Sequence, residues 1–297
     1  MIRSESHPHF VGNYMGAVGP SLARKVIEDA DCILALGTLI TDFSTGIFTA
    51  RIDTSKMIHT TASGTTISYH RYPDVTLCDV VSFLLKSRVV KRWRFRHMPP
   101  EPPQERETVS RLTTVGILQE LNEFLRPHNF IVSDCGDCLF AGMELKTDLF
   151  LGPGYYASMG FGVPGGVGAK CALPNRRPVV LVGDGGFMMT GNELATAAKL
   201  GHDTIIILLN NNNYATLRYI DKPRPYYDLP DQDYAKISEA MGARGERART
   251  RREFHEALKR AEASKVPYLI DCIITVEDCS PILRRLGDRL GGVWKKK

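Results

Sequence analysis

The chain has 297 residues, 43% hydrophobic and 24% charged, which is length and apolar content for about two ordinary domain cores and excludes a disordered protein. Its net charge of +5 is spread along the chain, and the local basic runs Lys86–Arg96 and Lys295–Lys297 read as solvated surface, because no recognisable nucleic-acid-binding motif accompanies them. No apolar run reaches the about 18 residues that cross a bilayer, Met1-Ile2-Arg3-Ser4-Glu5 is no signal peptide, and seven dispersed cysteines fit reduced thiols, so a cytosolic protein with neither a membrane nor a nucleic-acid partner is expected.

In chain order, Ser21–Ile27 reads as a helix, Cys32–Leu36 as a strand, and Gly37 opens the loop Thr38–Gly46. Strands at Lys56–Thr60 and near Thr66–Tyr69, followed by a helix at Leu77–Leu85, complete an α/β half-unit too short for a full doubly wound domain. From Arg96 to Ser110 the composition changes to HMPPEPPQERETVS, whose four prolines and charges without apolar periodicity mark a linker. The expected domains are therefore 1–96 and 111–297, joined by 97–110.

From Val115 the pattern becomes a regular α/β alternation. Ile117, Leu118, Leu121 and Leu125 form a helical stripe, Phe130–Val132 a strand, and Asp134–Leu139 the loop at its carboxyl end. Cys135-Gly136-Asp137-Cys138 has motif spacing, but no second cysteine pair or His-x-x-x-His completes a zinc site. The run from Pro153 to Ala169 is dense in small residues that let backbone press against a flat ring or a helix. Val179–Val182 is a buried strand ending on Gly183-Asp184-Gly185, where two glycines let backbone approach a ligand around one carboxylate. Thr190 and Glu193 form a capping-box pattern for a helix whose apolar side is Leu194, Ala197, Ala198 and Leu200 and which Gly201 can close. A strand at Thr204–Leu209 then delivers Asn210-Asn211-Asn212-Asn213-Tyr214 to the same sheet edge, because a right-handed crossover makes the two strands parallel neighbours. A helix at Glu253–Ala263, a last strand at Tyr268–Ile274 and a helix at Ser280–Leu290 follow.

A carboxylate, an amide oxygen and an exposed carbonyl are hard oxygen ligands, a partial set that suits a magnesium or calcium ion also bound to a phosphate. The GDG at 183–185 with asparagines following, Asn211 lying 27 residues after Asp184, resembles the signature of thiamine-diphosphate enzymes. The resemblance implies that Asp184, Asn211 and the carbonyl of Asn213 bind Mg²⁺, which clamps the cofactor diphosphate, with Gly183, Gly185 and Gly186 beside it. SDCGDCLF resembles a segment of the phenylpyruvate decarboxylase branch that lies beside the diphosphate, making Gly136 and Asp137 cofactor contacts. In PGYYASMGFGVP the resemblance gives the Ala157 carbonyl to the aminopyrimidine, places Ser158 beside it, and makes Met159 the apolar wedge that bends thiamine; otherwise Met159 is core filler. FVGNYMGAVG and ALGTLITDFSTG resemble the second half of the central domain in pyruvate, indolepyruvate and phenylpyruvate decarboxylases. Asp42 is accordingly a candidate for shaping substrate access, or else a turn aspartate.

The implied fold is α/β: a partial central domain followed by a parallel-sheet, thiamine-diphosphate-binding domain. The implied function is non-oxidative decarboxylation of a 2-oxo acid. Pyruvate decarboxylases carry a glutamate where Leu217 falls, so this chain looks like the branch acting on bulky aromatic or aliphatic 2-oxo acids. No residue matches the family's pyrimidine-binding domain, so activity is expected only in a homo- or hetero-oligomer with a chain that supplies it. The alternatives are an acetolactate-synthase-like carboligase, which also carries GDGGF, and a non-catalytic remnant acting in interaction or regulation.

Overall fold

The computed structural model describes residues 7, 9–87, 106–154 and 156–294. Much of the expected linker, together with Tyr155 and Lys295–Lys297, lies outside the described residues. The chain forms two compact units that divide between Pro103 and Gln104.

The first unit holds α1 (Ser21–Glu28), β1 (Ile33–Leu36), β2 (Met57–Thr61), β3 (Gly64–Ile67), β4 (His70–Tyr72) and α2 (Leu77–Lys86), with its sheet in the order β1-β2-β3-β4. β1 and β2 are parallel, whereas β3 and β4 are antiparallel additions. The single strand expected near Thr66–Tyr69 is therefore two strands of a hairpin. Ser68 adopts φ 55, a left-handed conformation that reverses the chain after Ile67. Few apolar side chains are enclosed here: Met15, Val18, Ala23 and Ala35 are buried, while Phe48, Phe83 and Leu85 are exposed.

The second unit is built on six parallel strands in the order β6-β5-β7-β8-β10-β9. They are β5 (Asn129–Ser133), β6 (Phe150–Leu151), β7 (Arg177–Gly183), β8 (Ile205–Asn210), β9 (Arg244–Ala248) and β10 (Tyr268–Ile273). Every residue of β5 and β8 is buried, the uninterrupted apolar pattern of strands covered on both faces. α3 (Thr114–Phe124) precedes the sheet, α4 (Asp137–Gly142), α5 (Gly162–Ala172), α6 (Asp184–Thr190), α7 (Glu193–Lys199), α8 (Ala215–Ile220), α9 (Tyr234–Ala240) and α10 (Arg251–Ala263) run between its strands, and α11 (Pro281–Trp294) follows it. One core layer joins Phe130, Val132, Val180, Val182, Ile206 and Leu208 of the sheet to Val163, Phe187, Leu194 and Tyr234 of the helices.

Three local expectations are corrected here. The stretch from Asp134 is a loop only as far as Gly136, after which α4 begins. The GDG opens a helix at once, since Asp184 is the first residue of α6. The capping box at Thr190 and Glu193 does not form: Thr190 Oγ1 donates instead to the Gly160 carbonyl at 2.7 Å, and Asn192 precedes α7 without a side-chain cap. Leu194 and Ala197 are buried as expected, but Leu200 is 52% exposed, because Gly201 at φ +67 ends the helical path beside it.

Candidate functional site

β5 lies between β6 and β7, so the chain steps from β5 to one side and then returns past it to the other. In open parallel sheets, such a reversal leaves a crevice at the carboxyl ends of the strands. Three polar segments emerge there from adjacent strands: Asp134 after β5, Asp184 after β7 and Asn210–Asn213 at the end of β8.

Asp184 is 3% exposed. Its Oδ1 accepts from the Gly185 amide at 2.8 Å and its Oδ2 from the Asn211 amide at 3.1 Å. Asn212 at φ 52 turns the asparagine loop so that the Asn212 and Asn213 amides also face this carboxylate. The Asn211 side-chain oxygen accepts from the Asn213 amide at 3.1 Å, closing the loop on itself. Burial raises the Asp184 carboxyl to about 6, although the surrounding amides pull the other way. Among the described residues, no lysine, arginine or histidine pairs with it, so this is a buried carboxylate whose charge the chain leaves uncompensated. A divalent cation would supply that charge, and Asp184 and Asn211 offer oxygens of the right hardness. The expected ligands thus fit the group. Of Asn213, the side-chain Nδ2 donates to Asp228 Oδ1 at 2.6 Å, so its side chain is turned to the neighbouring loop.

The glycines of this motif do different things. A Cβ on Gly185 would stand 2.3 Å from Tyr214 Cε1, and one on Gly186 would stand 3.1 Å from the Asp134 carboxyl. Those two are small because the protein itself packs there. A Cβ on Gly183 would meet nothing within 4 Å.

Asp134, which the sequence reading passed over, organises the other half of the crevice. It is 1% exposed, and its carboxylate accepts from the amides of Cys135 at 2.8 Å, Gly160 at 3.1 Å and Gly162 at 2.7 Å. Burial nevertheless leaves its carboxyl above the ordinary aspartate range. These bonds tie the loop Pro153–Gly162 to β5, while Thr190 ties it to α6. The loop presents Ala157 at φ 50, with Ser158 exposed and Met159 half-buried. The signal for Asp134 was present, since it follows a buried strand just as Asp184 does.

Gly136 takes φ 71 at the start of α4, and the Asp137 amide donates to Thr216 Oγ1 at 3.1 Å. The Asp137 carboxylate accepts from the Ser280 amide at 2.8 Å and from the Ser280 hydroxyl. Asp137 therefore fastens α11, and only its backbone and Gly136 remain for a ligand contact. Leu217 lies on α8 and is 43% exposed. Asp42 belongs to the other unit, where its Oδ1 accepts from the Phe43 amide at 2.8 Å, the arrangement of a turn aspartate.

Comparison with known proteins agrees with this geometry. Residues 134–272 match the family model described as the C-terminal TPP-binding domain of thiamine pyrophosphate enzymes, and residues 1–87 match the model of their central domain. An indole-3-pyruvate decarboxylase of Azospirillum brasilense is 34% identical over 270 residues, covering 89% of this chain and 50% of the relative. A pyruvate decarboxylase of Neurospora crassa is 30% identical over 300 residues, covering 93% and 50%. A thiamine diphosphate-dependent 4-hydroxybenzoylformate decarboxylase of Rhodococcus jostii RHA1 shares the fold with a TM-score of 0.69 at 24% identity, over 92% of this chain and 54% of that one. The chain thus spans about half the length of the curated relatives it matches. With both domain matches and this identity to a decarboxylase over 89% of its length, the chain belongs to the thiamine pyrophosphate enzyme family, in its 2-oxo acid decarboxylase branch.

Proposed function

We propose that these residues are the thiamine diphosphate- and Mg²⁺-anchoring part of a cytosolic, non-oxidative decarboxylase of bulky 2-oxo acids of the phenylpyruvate and indolepyruvate kind. The observation that carries this reading is the uncompensated, buried Asp184 carboxylate facing the Asn211–Asn213 loop. Asp184, the Asn211 side chain and the Asn213 carbonyl would hold the metal, with Gly183 and the Gly136–Asp137 backbone beside the diphosphate. The Ala157 carbonyl, Ser158 and Met159 would face the aminopyrimidine.

When bound, thiamine diphosphate supplies the electron sink for the carbon–carbon bond that decarboxylation breaks. The residues of this chain anchor it. Asp134, through the Gly160 and Gly162 amides, holds the loop that carries Ala157 and Met159 at a fixed height above the strand ends. Leu217 offers the substrate an apolar surface where a carboxylate would disfavour a large hydrophobic side chain. The pyrimidine-activating groups would come from a domain outside these residues, in a homo- or hetero-oligomer.

The test is release of carbon dioxide from phenylpyruvate and indolepyruvate, with thiamine diphosphate and Mg²⁺ present. The chain is assayed alone and mixed with a chain from the same genome carrying a pyrimidine-binding domain. Activity confined to the mixture is expected. Full activity of the chain alone would contradict the need for a partner, and inactivity of both despite cofactor binding would favour a non-catalytic role.

A further inference from the structure

Of the cysteines, Cys32, Cys78 and Cys171 are exposed, Cys135 is half-buried, and Cys138, Cys272 and Cys279 are buried. Burial pushes the Cys135 thiol up to about 12 and raises those of Cys138, Cys272 and Cys279 as well, which makes them poor nucleophiles. Cys171 stands apart. It lies in the last turn of α5, and its Sγ is 3.9 Å from Nε2 of His202. Neither Cys32 nor Cys78 has a hydrogen bond to an imidazole among the described residues.

His202 is itself built in. It follows the left-handed Gly201, its amide donates to the Ala197 carbonyl at 3.0 Å, and its residue exposure is 8%. Its Nδ1 is buried without a hydrogen-bond partner among the described residues, and its Nε2 faces Cys171. Burial, then the nearby Lys170 charge, hold the imidazole below its ordinary range, which keeps it in the neutral, proton-accepting form at neutral pH. Lys170 Nζ in turn lies 2.9 Å from Asp203 Oδ1, an ion pair beside the imidazole. The cluster precedes Ile205, the first residue of β8, and so sits at the amino ends of the strands, the opposite edge from Asp184 and Asn211.

We propose that Cys171 and His202 form a thiol–imidazole pair that reacts with small hydroperoxides, making Cys171 a reversible oxidation site separate from the cofactor crevice. His202 Nε2 takes the thiol proton while the sulfur attacks the terminal peroxide oxygen. The S–O bond forms as the O–O bond breaks, and the proton passes to the departing oxygen. Sulfur is oxidised by two electrons to the sulfenic acid, and the hydroperoxide is reduced to an alcohol, or to water for hydrogen peroxide. The carboxyl end of α5 opposes a thiolate but favours an imidazolium, so its pole has opposite effects on the two members of the pair.

The test treats the full chain with hydrogen peroxide in the presence of dimedone, which traps sulfenic acids, and measures labelling at each cysteine by peptide mass spectrometry. Cys171 is expected to label about ten-fold faster than Cys32 and Cys78, the gain of a thiol with a base in contact to take its proton. His202→Gln should remove that advantage while leaving Cys32 and Cys78 unchanged. Equal labelling of the three exposed cysteines in the unsubstituted protein would overturn the proposal, as would an advantage that survives His202→Gln in a folded variant. The three-way comparison in the unsubstituted protein decides the matter even if that variant does not fold.

Discussion

Desolvation raises the carboxyls of the buried Asp184 and the half-buried Asp137 to about 6, yet their partners give them different work. Asp184 faces backbone amides around an uncompensated charge, whereas Asp137 grips Ser280. For Asp137 the folded value lies above the roughly 3.9 of an unfolded aspartate, so the native state binds the extra proton and stability falls as pH rises from about 4 through about 6. Asp137→Asn keeps the acceptor for the Ser280 amide and removes the ionisation. Urea unfolding should show the variant gaining on the wild type between pH 4 and 7, by at most about 3 kcal/mol. An unchanged difference across that range would show that the carboxyl does not titrate there.

The glycines invite a second comparison at the same scale. Gly185→Ala forces the Tyr214 ring to move and should cost about 1–3 kcal/mol, read by thermal unfolding. Gly183→Ala, with nothing within 4 Å and φ −80, should cost under about 0.5 kcal/mol in the absence of ligand. The motif reading treated both glycines as room for a ligand. It could not show that Tyr214, 29 positions after Gly185, returns to fill the space over it.

Between elements, Glu120 joins α3 to α10. It is 3% exposed, with Arg251 Nε at 2.6 Å, His255 Nδ1 at 2.9 Å and Arg106 at 3.2 Å. Burial alone would raise its carboxyl, but the bonds from Arg251 and His255 outweigh it and hold the group below the ordinary range. Its stabilisation is therefore complete above the unfolded value and lost as pH falls through the folded one. Glu120→Gln leaves the half-buried Arg251 guanidinium without its carboxylate and should cost about 1–3 kcal/mol at neutral pH, with a smaller deficit in acid.

Nothing in the sequence around Glu120 announces its bonds to Arg251 and His255, because both lie more than 130 positions away. Strands β5, β7 and β8 were legible for the opposite reason: their continuous apolar runs are the local imprint of burial on both faces. Short polar elements such as α8, α9 and β9 carry no such imprint and were missed. The approach of Asp184 to the Asn211 loop was legible because the crossover from β7 to β8 makes sequence spacing a proxy for position. Asp134 was missed because its role depends on where the loop ending at Gly162 returns.

At the scale of the molecule, the two units differ in how much they enclose. The six-stranded sheet is buried through β5, β7, β8 and β10, whereas the sheet of β1–β4 encloses few apolar side chains. Native-state hydrogen exchange should therefore find the amides of β2 and β3 opening at lower free energy than those of β7 and β8. Equal protection in both sheets would show that the first unit draws stability from a source other than its own core.

Calorimetric titration of thiamine diphosphate into the purified chain tests the proposed anchoring of the cofactor through a metal on Asp184 and Asn211. The expected result is binding with Mg²⁺, none with the metal chelated, and none in Asp184→Ala, whose folding is checked by circular dichroism. Binding of equal affinity with the metal chelated, or in a folded Asp184→Ala protein, would contradict it.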